Sequence, residues 1–218
     1  MLILHKLGII RNFVRFIRQR PPAETQPTPC RYPTLFLLLE KMDTNEQFDI
    51  ALEECRRIFI AKLKDYGPSW RIMRPESVTD QIFIKAKRIR SLEIKACSAV
   101  GEGILPEFKA IVNYGIIGII QLQLGFVDTK DITTERAVEL YDENAAAARE
   151  LLQKKNHDYD EAWRGMRVSS YSDFILTKIE RIKEIEEHHG ATTVSEGIES
   201  NYLDIINYAI FGIIKLTE

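Results

Sequence analysis

The sequence predicts an all-α fold: a duplicated helical bundle of about six main helices, arranged as two three-helix units related by a pseudo-twofold. Three observations predict it. The stretch DYGPSWRIMRPESVTDQIFIKAKRIRSLE, Asp65 to Glu93, returns as DYDEAWRGMRVSSYSDFILTKIERIKEIE, Asp158 to Glu186, about 93 residues on and without a gap. Apolar residues recur at three-and-four spacing along most of the chain. No strand-like alternation of convincing length competes with that period.

Residues 1–41 differ from the rest. Lys6, Arg11, Arg15, Arg18, Arg20 and Arg31 face a single acid, Glu24, before Glu40, and a proline-rich PPAETQPTPCRYP follows. Three readings are open: an amphipathic helix on a membrane surface, an arginine-rich presequence, or translated upstream sequence with Met42 as the real start. The expectation is a basic leader, disordered or outside the native protein. The first repeat then spans 42–125 and the second 126–218, both sharing one compact domain.

In the first repeat, Phe48, Ala51, Leu52, Cys55, Ile58, Phe59 and Leu63 form the stripe of an amphipathic helix ending near Tyr66. Tyr141, Ala145, Ala148, Leu151 and Leu152 keep the register in the second, with Thr133 or Thr134 available as N-cap. A loop leads to the next helix, whose buried line is Val78, Ile82, Ala86 and Ile89. Ser77 with Asp80, and Ser170 with Asp173, have capping-box form, and Pro75 fits a segment not yet helical. The third helix, PEFKAIVNYGIIGIIQL in one copy and SNYLDIINYAIFGIIKL in the other, is apolar nearly all round and belongs at the centre of the core. Gly118 and Gly212 there predict close approach of a neighbouring helix.

Composition narrows the function. The 218 residues are 45% apolar and 28% charged with a net charge of −2, so polymeric nucleic acid is not a favoured partner. Cys30, Cys55 and Cys97 are odd in number and lack CxxC spacing, which fits a reducing compartment and neither a disulfide framework nor a zinc site. The longest apolar runs, such as Ile116 to Ile120, fall short of the roughly 20 residues of a bilayer span. The expectation is a cytoplasmic protein without membrane association. A homodimer through the central helices stays open.

Several repeated polar residues are candidates for chemistry. Asp65 and Asp158 close the first helix of each copy, where a carboxylate faces the negative end of the dipole. Arg71 and Arg74, or Arg164 and Arg167, are cations that would offset it, and a ribose or metal contact is the functional alternative. Tyr66 with Trp70, and Tyr159 with Trp163, pack the core or stack on a base. Lys85 and Arg88, repeated as Lys178 and Arg181, lie on one flank of a helix. With Arg74 or Arg167 they make a phosphate cradle, or else they pair with Glu102 and Glu196. Those two glutamates precede the core helix, where the dipole favours them; a Mg²⁺ contact is the alternative. Asn113 and Asn207 sit in so apolar a helix that each needs a buried partner, for which the opposite half is one source. His157, His188 and His189 have no copies and no metal spacing, and exposure is expected.

The D-Y-G beside a Trp-Arg, the K-x-x-R-I on a helix and N-Y-L-D-I-I-N-Y ahead of a hydrophobic helix resemble the nucleotide-modification-associated, MazG-like relatives of the all-α nucleoside triphosphate pyrophosphatases. The resemblance covers both repeats, through short motifs. It implies Mg²⁺ bound through an E-x-x-E and an E-x-x-D pair and cleavage between the α and β phosphates. Glu184 and Glu187 match the first pair and Asp204 the final aspartate. Asn201 stands where a glutamate would complete the second pair, and the first repeat has Ser91 opposite Glu184 and Ala110 opposite Asp204. The expectation is therefore a nucleotide-binding protein. It is a Mg²⁺-dependent pyrophosphohydrolase, with Glu196, Glu187 and Asp204 on the metal and Lys178, Arg181 and Arg167 on phosphate, or a non-catalytic descendant. The rival is a helical structural module in which the repeated charges pair internally.

Overall fold

The computed structural model describes residues 43–95, 101–188 and 196–218. The basic leader lies outside the described residues, as does His189. Within Met42–Glu218, one compact unit, the described residues form six α-helices and no strand: α1 Thr44–Tyr66, α2 Pro75–Lys95, α3 Leu105–Leu124, α4 Thr134–Tyr159, α5 Val168–Glu187 and α6 Ile198–Thr217. A single 3₁₀ turn follows α1 and α4 at equivalent places, Ser69–Ile72 and Ala162–Gly165. None of the described helices is long and apolar enough to cross a membrane.

The helix ends follow local chemistry. Asp43 caps α1 in a reciprocal capping box with Glu46, which satisfies two orphan donors and is worth about 1 kcal/mol. At its other end Gly67, at φ 65°, returns its N–H to Leu63, and the Lys130 ammonium donates to the Tyr66 carbonyl at 2.6 Å. A cation there complements the dipole. Thr133 caps α4. The expected capping boxes on α2 and α5 do not form. These helices start at Pro75 and Val168, upstream of Ser77 and Ser170, with Pro75 at the first helical position, where a missing N–H is harmless.

Asp80 and Asp173 tie the two repeats together instead. Asp80 meets Lys183 at 3.1 Å and Asp173 meets Arg90 at 2.5 Å, and these bonds are copies of each other under the repeat. Beside them Thr79 donates to Glu186 at 2.9 Å and Ser172 to Glu93 at 3.1 Å. Burial raises the pKa of both glutamates above the ordinary value.

The helices pack with the same symmetry. α3 and α6 lie against each other at the centre, α2 backs α3, α5 backs α6, and α2 meets α5. α1 and α4 each touch both central helices and one another. Exchanging α1–α3 with α4–α6 leaves this pattern unchanged, as a pseudo-twofold requires. The central crossing depends on the predicted glycines. A Cβ on Gly118 would lie 2.7 Å from the Tyr202 ring, and one on Gly212 would lie 2.8 Å from the Phe108 ring. Phe108 and Tyr202 are themselves repeat counterparts, so each central helix inserts one ring into the other's glycine notch.

Candidate functional site

Each repeat encloses a cavity between the end of its first helix, its 3₁₀ turn and its central helix. Lys62, Tyr66, Trp70, Met73, Asn113 and Tyr114 line the first, of about 120 Å³. Their counterparts Lys155, Tyr159, Trp163, Met166, Asn207 and Tyr208 line the second, of about 270 Å³. The second volume approaches the lower end of small-molecule pockets. The two cavities differ in size and also in what their polar groups do.

In the first cavity Asn113 is fully occupied. Its amide donates to the Cys55 carbonyl at 3.0 Å and accepts from the Tyr141 hydroxyl, from the opposite repeat, at 2.8 Å. The counterpart of Tyr141 is Phe48, which has no hydroxyl to give. Asn207, only 4% exposed, accordingly has no donor for its Oδ1, and its Nδ2 is unpaired as well. A buried amide in that state costs about 1–3 kcal/mol per group until something bonds it. The indole N–H of Trp163 in the same wall is also unpaired, as is that of Trp70.

The second difference is a carboxylate. Ala110 lines the first cavity and Asp204, 5% exposed, the second. Asp204 accepts from Lys155 of α4 and forms an ion pair at 2.7 Å with Lys178 of α5. Burial opposes the charge on Lys155, yet the hydrogen bond and field of Asp204 prevail and raise its pKa. Burial, then Asp204, raises the pKa of Tyr208. The rim is strained as well: Asp160 and Glu161 stand at φ 47° and 55°, where a non-glycine residue costs roughly 1–2 kcal/mol. The first repeat puts Gly67 at the equivalent of Asp160.

Trp70 and Trp163 are each 6% exposed. Trp163 stacks on Phe211 at 4.4 Å with 9° between planes, so it presents an edge to the cavity more than a free face. Tyr66 and Tyr159 are 47% and 70% exposed and stand at the cavity mouths, while Phe174 tilts against Tyr208 at 5.4 Å.

Neither end-of-helix aspartate takes the arginines expected of it. Arg71 is buried and reaches Asp131 at 2.8 and 3.0 Å, Gln121, and the Gly125 carbonyl at 2.6 Å. Arg164 takes Glu161, Glu218, Thr44 and Gln47. Asp65 and Asp158 are exposed, Asp158 lying 3.2 Å from His157. Arg74 lies over the Phe126 ring at 5.7 Å, and Arg167 precedes α5, exposed. His157 and His188 are exposed as expected.

Lys85 and Arg88 both meet Glu107 of α3, the lysine at 3.3 Å, and Arg88 reaches Glu102 at 3.6 Å. On α5 Lys178 goes to Asp204, and Arg181 has no ion pair among the described residues. The carboxylates matched to Mg²⁺ are not gathered. Glu184, Glu187, Glu196 and Glu102 are exposed, and among the described residues no three His, Cys, Asp or Glu side chains converge. The one buried member, Asp204, is held by two ammonium groups. This donor set does not fit a Mg²⁺ centre.

Sequence reasoning passed over Lys155, Phe174 and Tyr208 as site residues. The mismatches between copies, Phe48 against Tyr141 and Ala110 against Asp204, mark the second cavity as different, but Lys155 and Tyr208 are repeated as Lys62 and Tyr114 and carry no such signal.

No curated relative and no solved structure matches the chain. The sequence model described as Nucleotide modification associated domain 1 matches it twice, over residues 62–122 and 155–216. Each match runs from the end of one outer helix through the next central helix, and so takes in one cavity. Matched in both repeats and over more than half of its length, the chain belongs to the Nucleotide modification associated domain 1 family.

Proposed function

We propose that the chain is a nucleotide-binding protein whose working site is the cavity of the second repeat, and that the first repeat is its structural counterpart. The observation that carries this reading is the unpaired Asn207 amide, buried in an aromatic-walled cavity beside Asp204 and Lys155. An amide offers one donor direction and one acceptor direction side by side, which complements the edge of a nucleobase. Trp163 adds a donor, and the exposed Tyr159 and Phe174 offer ring faces for stacking. The family description agrees with a ligand of this class.

The resemblance to MazG-like enzymes suggested a Mg²⁺-dependent pyrophosphohydrolase with Glu196, Glu187 and Asp204 on the metal. The lysines on Asp204 and the scattered glutamates support a binding role in preference to that one. The structural-module reading is supported for the first repeat, where Asn113 is paired and Lys85 and Arg88 are both met by Glu107.

Thermal unfolding with nucleosides and nucleotides, with and without Mg²⁺, tests the proposal. A ligand at 100 times its dissociation constant stabilises the wild type by about 2.7 kcal/mol. Asn207→Leu removes that shift while the unliganded protein holds or gains stability. No shift with any nucleoside or nucleotide at millimolar concentration overturns the reading.

A further inference from the structure

The two repeats share a pair of cations on equivalent helices, Lys85 and Arg88 on α2 and Lys178 and Arg181 on α5. In the first repeat an internal anion sits between them. The Glu107 carboxylate, 4% exposed, meets both cations at once. Its counterpart in the second repeat is Asn201, fully buried and uncharged. The Asn201 amide donates to the Gly197 carbonyl at 2.8 Å, and its Oδ1 is unpaired. Arg181 therefore lacks the carboxylate that Arg88 has, and Glu196, the counterpart of Glu102, makes no ion pair with it among the described residues.

We infer that Lys178 and Arg181 form an anion site for one phosphate group, open because Asn201 brings no carboxylate to it, and that Glu107 supplies the anion in the first repeat as a built-in substitute. An exposed guanidinium without a carboxylate partner suits phosphate, which takes Arg in bidentate fashion. The site is continuous with the second cavity, because Lys178 bonds Asp204 and Asp204 lines that cavity. Lys155 and Lys178 both meet the single carboxylate of Asp204, and Arg181 has no ion pair among the described residues. That the phosphate belongs to a nucleotide rests on the reading proposed above, whereas the anion site rests on the comparison of the repeats.

The full chain is titrated with inorganic phosphate, a nucleoside and the matching nucleoside 5′-monophosphate, at constant ionic strength, with melting temperature and calorimetric affinity as readouts. The monophosphate binds about tenfold or more tightly than the nucleoside, and phosphate alone raises the melting temperature. Asn201→Glu, which restores the first-repeat arrangement, removes both effects and leaves nucleoside affinity in place. Arg181→Gln, at an exposed position, does the same and decides the matter should Asn201→Glu fold poorly. Glu107→Gln opens the first-repeat site, so phosphate then binds twice. Equal affinity for nucleoside and monophosphate in the wild type overturns the inference, as does an unchanged preference in both variants. Should no nucleoside or nucleotide bind while phosphate still protects and both variants lose that protection, the anion site stands and the nucleotide reading falls.

Discussion

The first and second repeats share helices, glycine notches, cavity walls and an unpaired tryptophan N–H, yet their buried asparagines and carboxylates are in different conditions. Around the first cavity, Asn113 is paired on both sides, and Glu107 on the same helix holds two cations. In the second, Asn207 is unpaired, Asn201 half paired, and the rim carries two left-handed residues. The scaffold is the same, and the difference comes from single replacements within it, Phe48 against Tyr141 and Asn201 against Glu107. A buried group left unbonded lowers stability, and the Asn207 amide and the Trp163 N–H are left so in the wall of the second cavity. On the function proposed above, the first repeat serves structure and the second serves binding.

The comparison predicts unequal results from equal substitutions, beginning with the arginine clasps. Arg71→Ala strands Gln121, Gly125 and Asp131 around a buried gap and should cost about 3 kcal/mol. Arg164→Ala removes a more exposed clasp and should cost about 1–2 kcal/mol. Denaturant unfolding measures both, and equal losses would break the distinction. The asparagines should differ in sign. Asn113→Leu leaves the Cys55 carbonyl and the Tyr141 hydroxyl without their partner and should destabilise by about 2 kcal/mol, whereas Asn207→Leu relieves an unpaired amide and should stabilise by about 1 kcal/mol.

Where the pseudo-twofold governs, the repeats should instead agree. Gly118→Ala and Gly212→Ala each press a methyl into an aromatic ring and should cost about 1–2 kcal/mol apiece. Melting temperatures lowered by the same few degrees would confirm reciprocal notches. The smallest effect is on pH dependence. Glu93 and Glu186 have folded pKa values raised by burial, so the folded chain binds their protons more tightly than the unfolded one. As pH falls from above those raised values towards 4.5, each adds stability, and the addition is lost again as pH rises. Glu93→Gln or Glu186→Gln should flatten that slope to similar extents in stability measured between pH 7 and about 4.5.

Much of the fold was legible because the signals are periodic or local. The stripe from Phe48 to Leu63, a threonine cap at 133 or 134 and the apolar third helices mark themselves within a few residues. Duplication added the pseudo-twofold, and glycine in a helix announced a close neighbour. The start of α2 and α5 was misplaced because Ser77 and Asp80 mimic a cap, when Pro75 already opens the helix and Asp80 serves Lys183. The site was legible in its residue types, the Lys-Arg pair, the tryptophans and Asp204, but not in their bonds. Arg71 lies closer in sequence to Asp65 than to Asp131, yet Asp131 holds it.

By itself the sequence determined the all-α class, the doubled unit, the course of each helix and the placement of α3 and α6 at the core. These depend on hydrophobic periodicity and repeat identity, which are properties of residues near one another in the chain. Only the tertiary structure decided that Tyr141 would satisfy Asn113 while Phe48 offers Asn207 no hydroxyl, and that two lysines would hold Asp204. Such bonds join groups on different helices, some from opposite repeats. A hydrogen bond needs its partners within about 3 Å, a distance set by how the six helices pack and not by how far apart two residues stand in the chain.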